Sequence, residues 1–130
     1  HIDFSYPFDE VLSNKLADSL MQENCEFEAK ATYGVTQGPR LETIAEIKRL
    51  QRDGRDIVGM TAMPEASLAR ELDMSYANLS LVVNWAAGAE PVSVDASEKY
   101  KIISMDEITE RIMQGNAVGE NIIQNLILHL

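Results

Sequence analysis

The sequence is poor in cysteine, in positive charge and in long apolar runs, and each shortage removes a class of explanation. A single cysteine, Cys25, stands among 130 residues. No intramolecular disulfide can form, and such usage suits a reducing compartment. Eleven Lys and Arg face 21 Asp and Glu, a formal net charge of -10. A nucleic-acid partner requires a basic face to displace counterions from phosphates, so none is expected. That balance does not exclude a small anion, which backbone N–H groups and hydroxyls can hold. No apolar stretch approaches the ~20 residues that span a bilayer, so no membrane association is expected. The N-terminus lacks the basic-then-apolar order of a secretion signal. Together these features point to a cytoplasmic protein. The two histidines, His1 and His129, and Cys25 show no ligand spacing, and no G-x-G-x-x-G or P-loop pattern occurs. Neither a metal nor an organic cofactor is expected, and His129 and Cys25 read as structural or incidental.

What is present is globular. The chain is 45% hydrophobic and 25% charged, enough for one core, and it shows no repeat, linker or low-complexity segment. Residues 1–130 are read as a single unit. Leu12, Leu16 and Leu20 recur four apart and predict an amphipathic helix over 9–23. A short strand is expected over 32–36, followed by a Gly38-Pro39 turn. A helix over 43–52 carries Ile44, Ile47 and Leu50 towards one face and ends at Gly54. A buried strand is expected over 56–60. A helix opens at Pro64 and Glu65 and runs to 72, consistent with the preference of proline for a first turn. The apolar run 77–83 lacks alternation and reads as a strand covered on both faces. An irregular stretch over 88–101 precedes Ser104 and Glu107, an S-x-x-E capping box that starts a final helix, with a bend expected near Gly115 and Gly119. This alternation predicts an α/β layered domain.

In α/β sheets, ligands bind beyond the carboxyl ends of strands. That rule selects three segments, 34–43, 60–65 and 84–88, each polar directly after an apolar run. The run from Asp56 to Pro64 also looks like the third strand of a response-regulator receiver. However, Thr61 occupies the place of the phosphoacceptor aspartate and no acidic pair ends an early strand, so that chemistry lacks its carboxylate.

Four motifs, in order and spacing, carry a resemblance over nearly the whole chain. Gly34-Val-Thr-Gln-Gly-Pro-Arg-Leu-Glu-Thr43 resembles the G-P-x-[FL]-E-T segment of trimeric purine nucleoside phosphorylases and methylthioadenosine phosphorylases. Val58-Gly-Met-Thr-Ala-Met-Pro-Glu65 resembles their V-G-M-[ST]-x-x-P-E segment. Val82-Val-Asn-Trp-Ala-Ala-Gly88 resembles the strand end that bears the purine-contacting residue, and His1-Ile-Asp-Phe-Ser-Tyr-Pro-Phe8 a loop before the first C-terminal helix. Within that family the pattern is most similar to bacterial S-methyl-5'-thioinosine phosphorylases. The implied fold is the C-terminal, purine-binding part of the nucleoside-phosphorylase fold, a mixed β-sheet flanked by helices. The implied reaction is phosphorolysis of S-methyl-5'-thioinosine to hypoxanthine and 5-methylthioribose 1-phosphate, with phosphate as co-substrate and no cofactor. A homotrimer is implied. Inosine/guanosine-cleaving and methylthioadenosine-cleaving activities are the alternatives, and a non-catalytic fragment is the alternative of a different class.

The same resemblance assigns residues. Asn84 stabilises negative charge growing on the departing purine, because its amide both donates and accepts; read by position alone, it caps a turn. Glu42 accepts N1–H of a 6-oxopurine; read alone, it is an acid at a helix N-terminus. Adenine-preferring relatives carry aspartates at the places of Asn84 and Ala86, so this base pocket reads as 6-oxopurine. Leu41 replaces a phenylalanine and forms an apolar wall without ring stacking. Met60 lies against ribose and base, or else is core. Thr61 contacts phosphate, or else is an N-cap ahead of Pro64. Met105 replaces a histidine that binds a 5'-hydroxyl, which favours a 5'-methylthio group. His1 reaches the 5' pocket of a neighbouring subunit. The Gly-rich phosphate loop, the Arg-His phosphate contacts and a central Thr/Ala base-and-ribose segment of the family have no counterpart here, so this chain alone is expected to phosphorolyse poorly.

Overall fold

A computed structural model describes residues 1–90 and 104–128. The elements run α1 (Glu10–Gln22), β1 (Tyr33–Val35), α2 (Ile44–Arg52), β2 (Ile57–Gly59), α3 (Ala62–Glu71) and α4 (Met105–Leu128). The expected α/β class holds. The sheet consists of β1 and β2 in parallel, with Gly34 opposite Val58 and Val35 opposite Gly59. Parallel neighbours require a crossover, and α2 supplies it.

Side-chain chemistry fixes the helix ends. Asp9 caps α1 by accepting the Leu12 N–H at 2.7 Å. Thr43 caps α2 in a complete capping box: the Glu46 N–H donates to Thr43 Oγ1 at 3.3 Å, and the Thr43 N–H donates to Glu46 Oε2 at 2.7 Å. Arg40 adds a two-pronged ion pair to the same carboxylate at 2.8 and 2.9 Å. With the Thr43 hydroxyl, which donates to Oε2 at 3.0 Å, four donors converge on the Glu46 carboxylate. They hold its carboxyl below the ordinary carboxylate range, the Arg40 hydrogen bonds contributing most. Asp53 ends α2, and Gly54 follows with φ +76°, a left-handed conformation glycine adopts without strain. In α3, Met63 has extended angles (φ -116°, ψ 137°), so regular helix starts at Pro64 as expected; the residue before a proline is pushed away from helical angles. Ser104 accepts the Glu107 N–H at 3.3 Å, and α4 then runs to Leu128, through Gly115 and Gly119.

The core is small and has two parts. Ile47 (3% exposed) and Leu50 of α2 and Ala62, Ala66 and Ala69 of α3 are buried. Alanines at this spacing let the α3 backbone approach its neighbours closely. Separately, α1 packs on α4, with Ile122 buried and Asn125 donating to Glu23 Oε1 at 2.7 Å.

One expected element is absent. Residues 77–83 form no strand, and Leu79, Leu81 and Val82 are exposed rather than covered on both faces. A run of apolar residues becomes a strand only when a neighbour completes its ladder, and no described strand lies beside it. The run instead meets α4: a Cβ placed on Gly115 would fall 2.3 Å from Leu81 Cδ2, so Leu81 fills the space that glycine leaves. Most of the irregular stretch over 88–101, together with His129, lies outside the described residues.

Two outcomes follow from this packing. Ile47→Ala removes the most buried side chain of α2 and should cost about 2–5 kcal/mol, read as a lower urea midpoint. The pKa of Glu46 in the folded state lies well below its unfolded value of about 4.3. Its stabilising contribution is therefore complete above that value and is lost as pH falls towards the folded one. Thermal unfolding of wild type and Glu46→Gln should differ at pH 7, with a gap that narrows progressively as pH falls below about 4; a constant gap would remove Glu46 from that role.

Candidate functional site

The carboxyl ends of β1 and β2 lie side by side, and segments 34–43 and 60–65 meet there. Just past β1, the Thr36 N–H donates to Gly59 O at 2.9 Å, extending the ladder by one bond. Its hydroxyl donates to Glu42 Oε1 and stands 3.5 Å from Gly59 O. Residues 36–42 thus form a closed loop whose two ends are joined through side chains. The Gly38 turn of that loop sits on Met60, since a Cβ at Gly38 would lie 2.9 Å from Met60 Sδ. Gly88, at φ +71°, rests against the first turn of α2, where an added Cβ would come within 3.0 Å of Ile44 Cγ2. Segment 34–43 therefore meets Met60 at one end of the parallel pair, and the Gly88 end of segment 84–88 rests on the first turn of α2.

Glu42 is half-buried one residue ahead of the α2 N-cap, where the helix dipole favours a carboxylate. Its two readings, helix-end acid and acceptor in a site, are compatible. Arg40 is committed to Glu46 and to Leu41 O at 3.1 Å, and among the described residues no salt bridge to Glu42 is formed. Leu41 is exposed and offers an apolar face, and Met60 is half-buried beneath the loop.

The N-cap reading of Thr61 fails: it has φ -111° and ψ -23° and makes no side-chain capping bond. The break at Met63 separates it from the regular helix, so its exposed hydroxyl is not consumed by α3. Asn84 does make the local contact that its position suggested, with Nδ2 donating to Trp85 O at 2.7 Å. One amide hydrogen and Oδ1 remain for a ligand. Ala86 is half-buried beside it. Met105 and His1 are surface positions, Met105 being 64% exposed, and hydrogen bonds tie neither to the cluster.

A second region organises around the N-terminal loop. Arg70 Nη2 donates to Tyr6 O at 2.5 Å, the Asp9 N–H to Tyr76 O at 2.7 Å, and Ser75 Oγ to Asp9 Oδ2 at 3.0 Å. The rings of Phe8 and Tyr76 stack, with centroids 6.1 Å apart. Tyr76 Oη donates to Glu65 Oε2 at 2.7 Å, a bond that, with burial, raises the tyrosine's pKa. The Leu12 N–H and Ser75 lower that of Asp9. A cleft of about 420 Å³, lined by Ile2, Asp3, Tyr6, Arg70 and Asp73, opens in this region, away from the strand ends. It contains none of the residues of the cluster.

Sequence reasoning missed Thr36, whose hydroxyl sits six residues before the acid it meets. It also missed the Thr43-x-x-Glu46 box, which the pattern that found Ser104-x-x-Glu107 would have revealed. Among the described residues no group of three His, Cys, Asp or Glu side chains could hold a metal, and no helix is long and apolar enough to cross a membrane. Around the strand ends stand the Glu42 carboxylate held by Thr36, with Met60 under Gly38, and the three segments also carry the Asn84 amide, the exposed Thr61 hydroxyl and the apolar Leu41. That set suits a flat heterocycle carrying both an N–H donor and acceptor atoms.

Known proteins share this arrangement of segments. The chain is 53% identical over 115 residues to a probable S-methyl-5'-thioinosine phosphorylase of Pseudomonas syringae pathovar tomato, spanning 88% of this chain and 43% of that protein. It is 39% identical over 103 residues to the 6-oxopurine nucleoside phosphorylase of Pyrococcus furiosus, spanning 79% and 39%. Its fold matches a methylthioadenosine phosphorylase from an Antarctic soil metagenomic library, with TM-score 0.82, 27% identity and coverage of 98% of this chain and 43% of that one. It also matches the Schistosoma mansoni methylthioadenosine phosphorylase in complex with adenine, with TM-score 0.81 and 24% identity, over 98% and 48%. The chain thus spans less than half the length of these relatives. The family profile of the phosphorylase superfamily matches residues 1–118, and on this match, with the relatives and the shared fold, the chain belongs to that superfamily.

Proposed function

We propose that the polypeptide carrying this chain phosphorolyses a 6-oxopurine nucleoside, S-methyl-5'-thioinosine. A phosphate oxygen bonds to C1' while the C1'–N9 bond breaks and its electron pair leaves with the purine. The products are hypoxanthine, after protonation, and 5-methylthioribose 1-phosphate. The observation that carries the reading is Glu42, half-buried just past β1 with one carboxylate oxygen held by the Thr36 hydroxyl, while Arg40 pairs with Glu46. A carboxylate so placed accepts N1–H of a 6-oxopurine and meets only a lone pair on a 6-aminopurine, which leaves it unpaired.

In this reading Asn84 donates to the purine as it gains electron density, beside Ala86, where an acid would instead suit an amino group. Leu41 forms the apolar wall and Met60 the floor under base and ribose. Thr61 gives its hydroxyl to phosphate. Met105 faces the 5'-methylthio group, and His1 reaches the 5' pocket of a neighbouring subunit in a homotrimer. No organic cofactor or metal enters the reaction, and a cytoplasmic setting fits the cysteine usage. Residues 1–130 supply the purine-binding side of one phosphorylase domain, and the remainder of the relatives' length supplies most of the phosphate grip.

A general 6-oxopurine nucleoside phosphorylase acting on inosine or guanosine is a second reading, favoured by the relatives that carry that name. Initial rates with methylthioinosine, inosine and methylthioadenosine at full encoded length separate the two. The expected order is methylthioinosine first and methylthioadenosine last, and a preference for methylthioadenosine would overturn the base assignment. Asn84→Asp should move the ratio of kcat/KM values towards the 6-aminopurine by about tenfold or more; an unchanged ratio removes Asn84 from specificity. The single tryptophan, Trp85, adjoins Asn84 and is 57% exposed. Titrating hypoxanthine into the 130-residue chain should change its emission in a saturable way, whereas adenine should act only at higher concentration.

A further inference from the structure

We infer that Thr36 is a positioning residue for base recognition: its hydroxyl fixes the carboxylate of Glu42 and so sets how strongly the site prefers a 6-oxopurine over a 6-aminopurine. The inference rests on the reading of Glu42 above and adds to it a residue that touches no substrate.

Thr36 occupies a junction. Its backbone N–H donates to Gly59 O at 2.9 Å, so its position is set by the parallel ladder rather than by the loop that follows. Its half-buried hydroxyl has one hydrogen to give and donates it to Glu42 Oε1. Gly59 O, at 3.5 Å, is at the limit of contact and already accepts the backbone N–H. The hydroxyl therefore serves the carboxylate first. A glutamate has three rotatable bonds, and an unanchored one loses that freedom when a ligand binds. Bonding one oxygen to a group built onto the sheet removes most of this freedom beforehand and leaves Oε2 for the ligand.

The far end of the same loop is held independently. Arg40 engages Glu46, and Thr43 caps α2. Without Thr36 the main chain around Glu42 would remain anchored, while the carboxylate itself would not. The fixed geometry sharpens discrimination as well as affinity. A mobile carboxylate can turn away from the unprotonated N1 of a 6-aminopurine; a clamped one cannot and must leave both lone pairs opposed. Loss of the clamp should thus weaken the preferred base more than the disfavoured one.

The test uses the protein at its full encoded length and compares wild type, Thr36→Val, Thr36→Ser, Glu42→Gln and the double variant Thr36→Val/Glu42→Gln. Valine keeps the shape and removes the donor, and serine keeps the donor. Thr36→Val should lower kcat/KM for the 6-oxopurine nucleoside about ten- to a hundredfold, mainly through KM. It should narrow the 6-oxo/6-amino ratio, and Thr36→Ser should restore both. In the Glu42→Gln background the valine substitution should cost little, because a shared interaction is lost only once. If Glu42→Gln collapses the ratio while Thr36→Val leaves kcat/KM and the ratio at wild-type values, this inference falls and the function above stands. It falls in the same way if the valine effect is equally large with Gln at position 42. If Glu42→Gln leaves the ratio unchanged, the base assignment falls and takes this inference with it. Should Thr36→Val fail to fold, Thr36→Ala gives the same comparison: a wild-type ratio in that variant overturns the proposal.

Discussion

The parallel pairing of β1 and β2 is the constraint on which the rest depends. Each strand is three residues long, yet bonds beyond both ends prolong the ladder. Thr32 O accepts from Asp56 N at 3.0 Å at one end, and Thr36 N donates to Gly59 O at the other. Because both strands run the same way, their carboxyl ends finish together, and whatever follows each is delivered to one place. The register is tight. A Cβ on Gly59 would lie 1.9 Å from the Tyr33 hydroxyl, so the tyrosine crosses the space this glycine leaves open. Sliding the strands by one residue would set that side chain against a substituted carbon and would part Thr36 from Gly59. The capping box of α2 then turns the loop after β1 back on itself, leaving Glu42 at the helix entrance.

The same structure leaves much apolar surface open. Leu81, Val82, Met113, Ile123 and Ile127 are among the exposed apolar side chains. The run 77–83 illustrates this: its composition suits a doubly covered strand, yet among the described residues it has no ladder partner, and its Leu81 packs at Gly115 of α4.

Much of the fold was legible from the sequence. The four-residue spacing of Leu12, Leu16 and Leu20, the Gly54 stop and the Pro64 start each express local physics, and the helices they mark are found within a residue or two. The rule that ligands gather beyond strand ends picked 34–43 and 60–65, which meet past β1 and β2, whereas 84–88 follows a run that forms no strand. Less legible were features depending on contacts distant in sequence. The value of Thr36 comes from what Glu42 and Gly59 do around it. Thr61 admits two readings, phosphate contact and helix cap, and the extended angles of Met63 separate it from the regular part of α3. Asn84 keeps its local bond to Trp85, which neither its strand-end position nor its motif could weigh against a ligand.

The sequence by itself determined the class of fold, the positions of helices and turns, the order of the site segments and the resemblance that names the family's chemistry. These are properties of nearest neighbours and of residue type, set by periodicity, capping and backbone restriction. Only the tertiary structure decided which arginine pairs with which glutamate, which hydroxyl caps a helix and which meets Glu42, and whether an apolar run becomes a strand. Each of those outcomes is a competition between partners far apart in the chain. A donor or acceptor has few bonds to give, so the winner depends on which groups the folded backbone brings within about 3 Å.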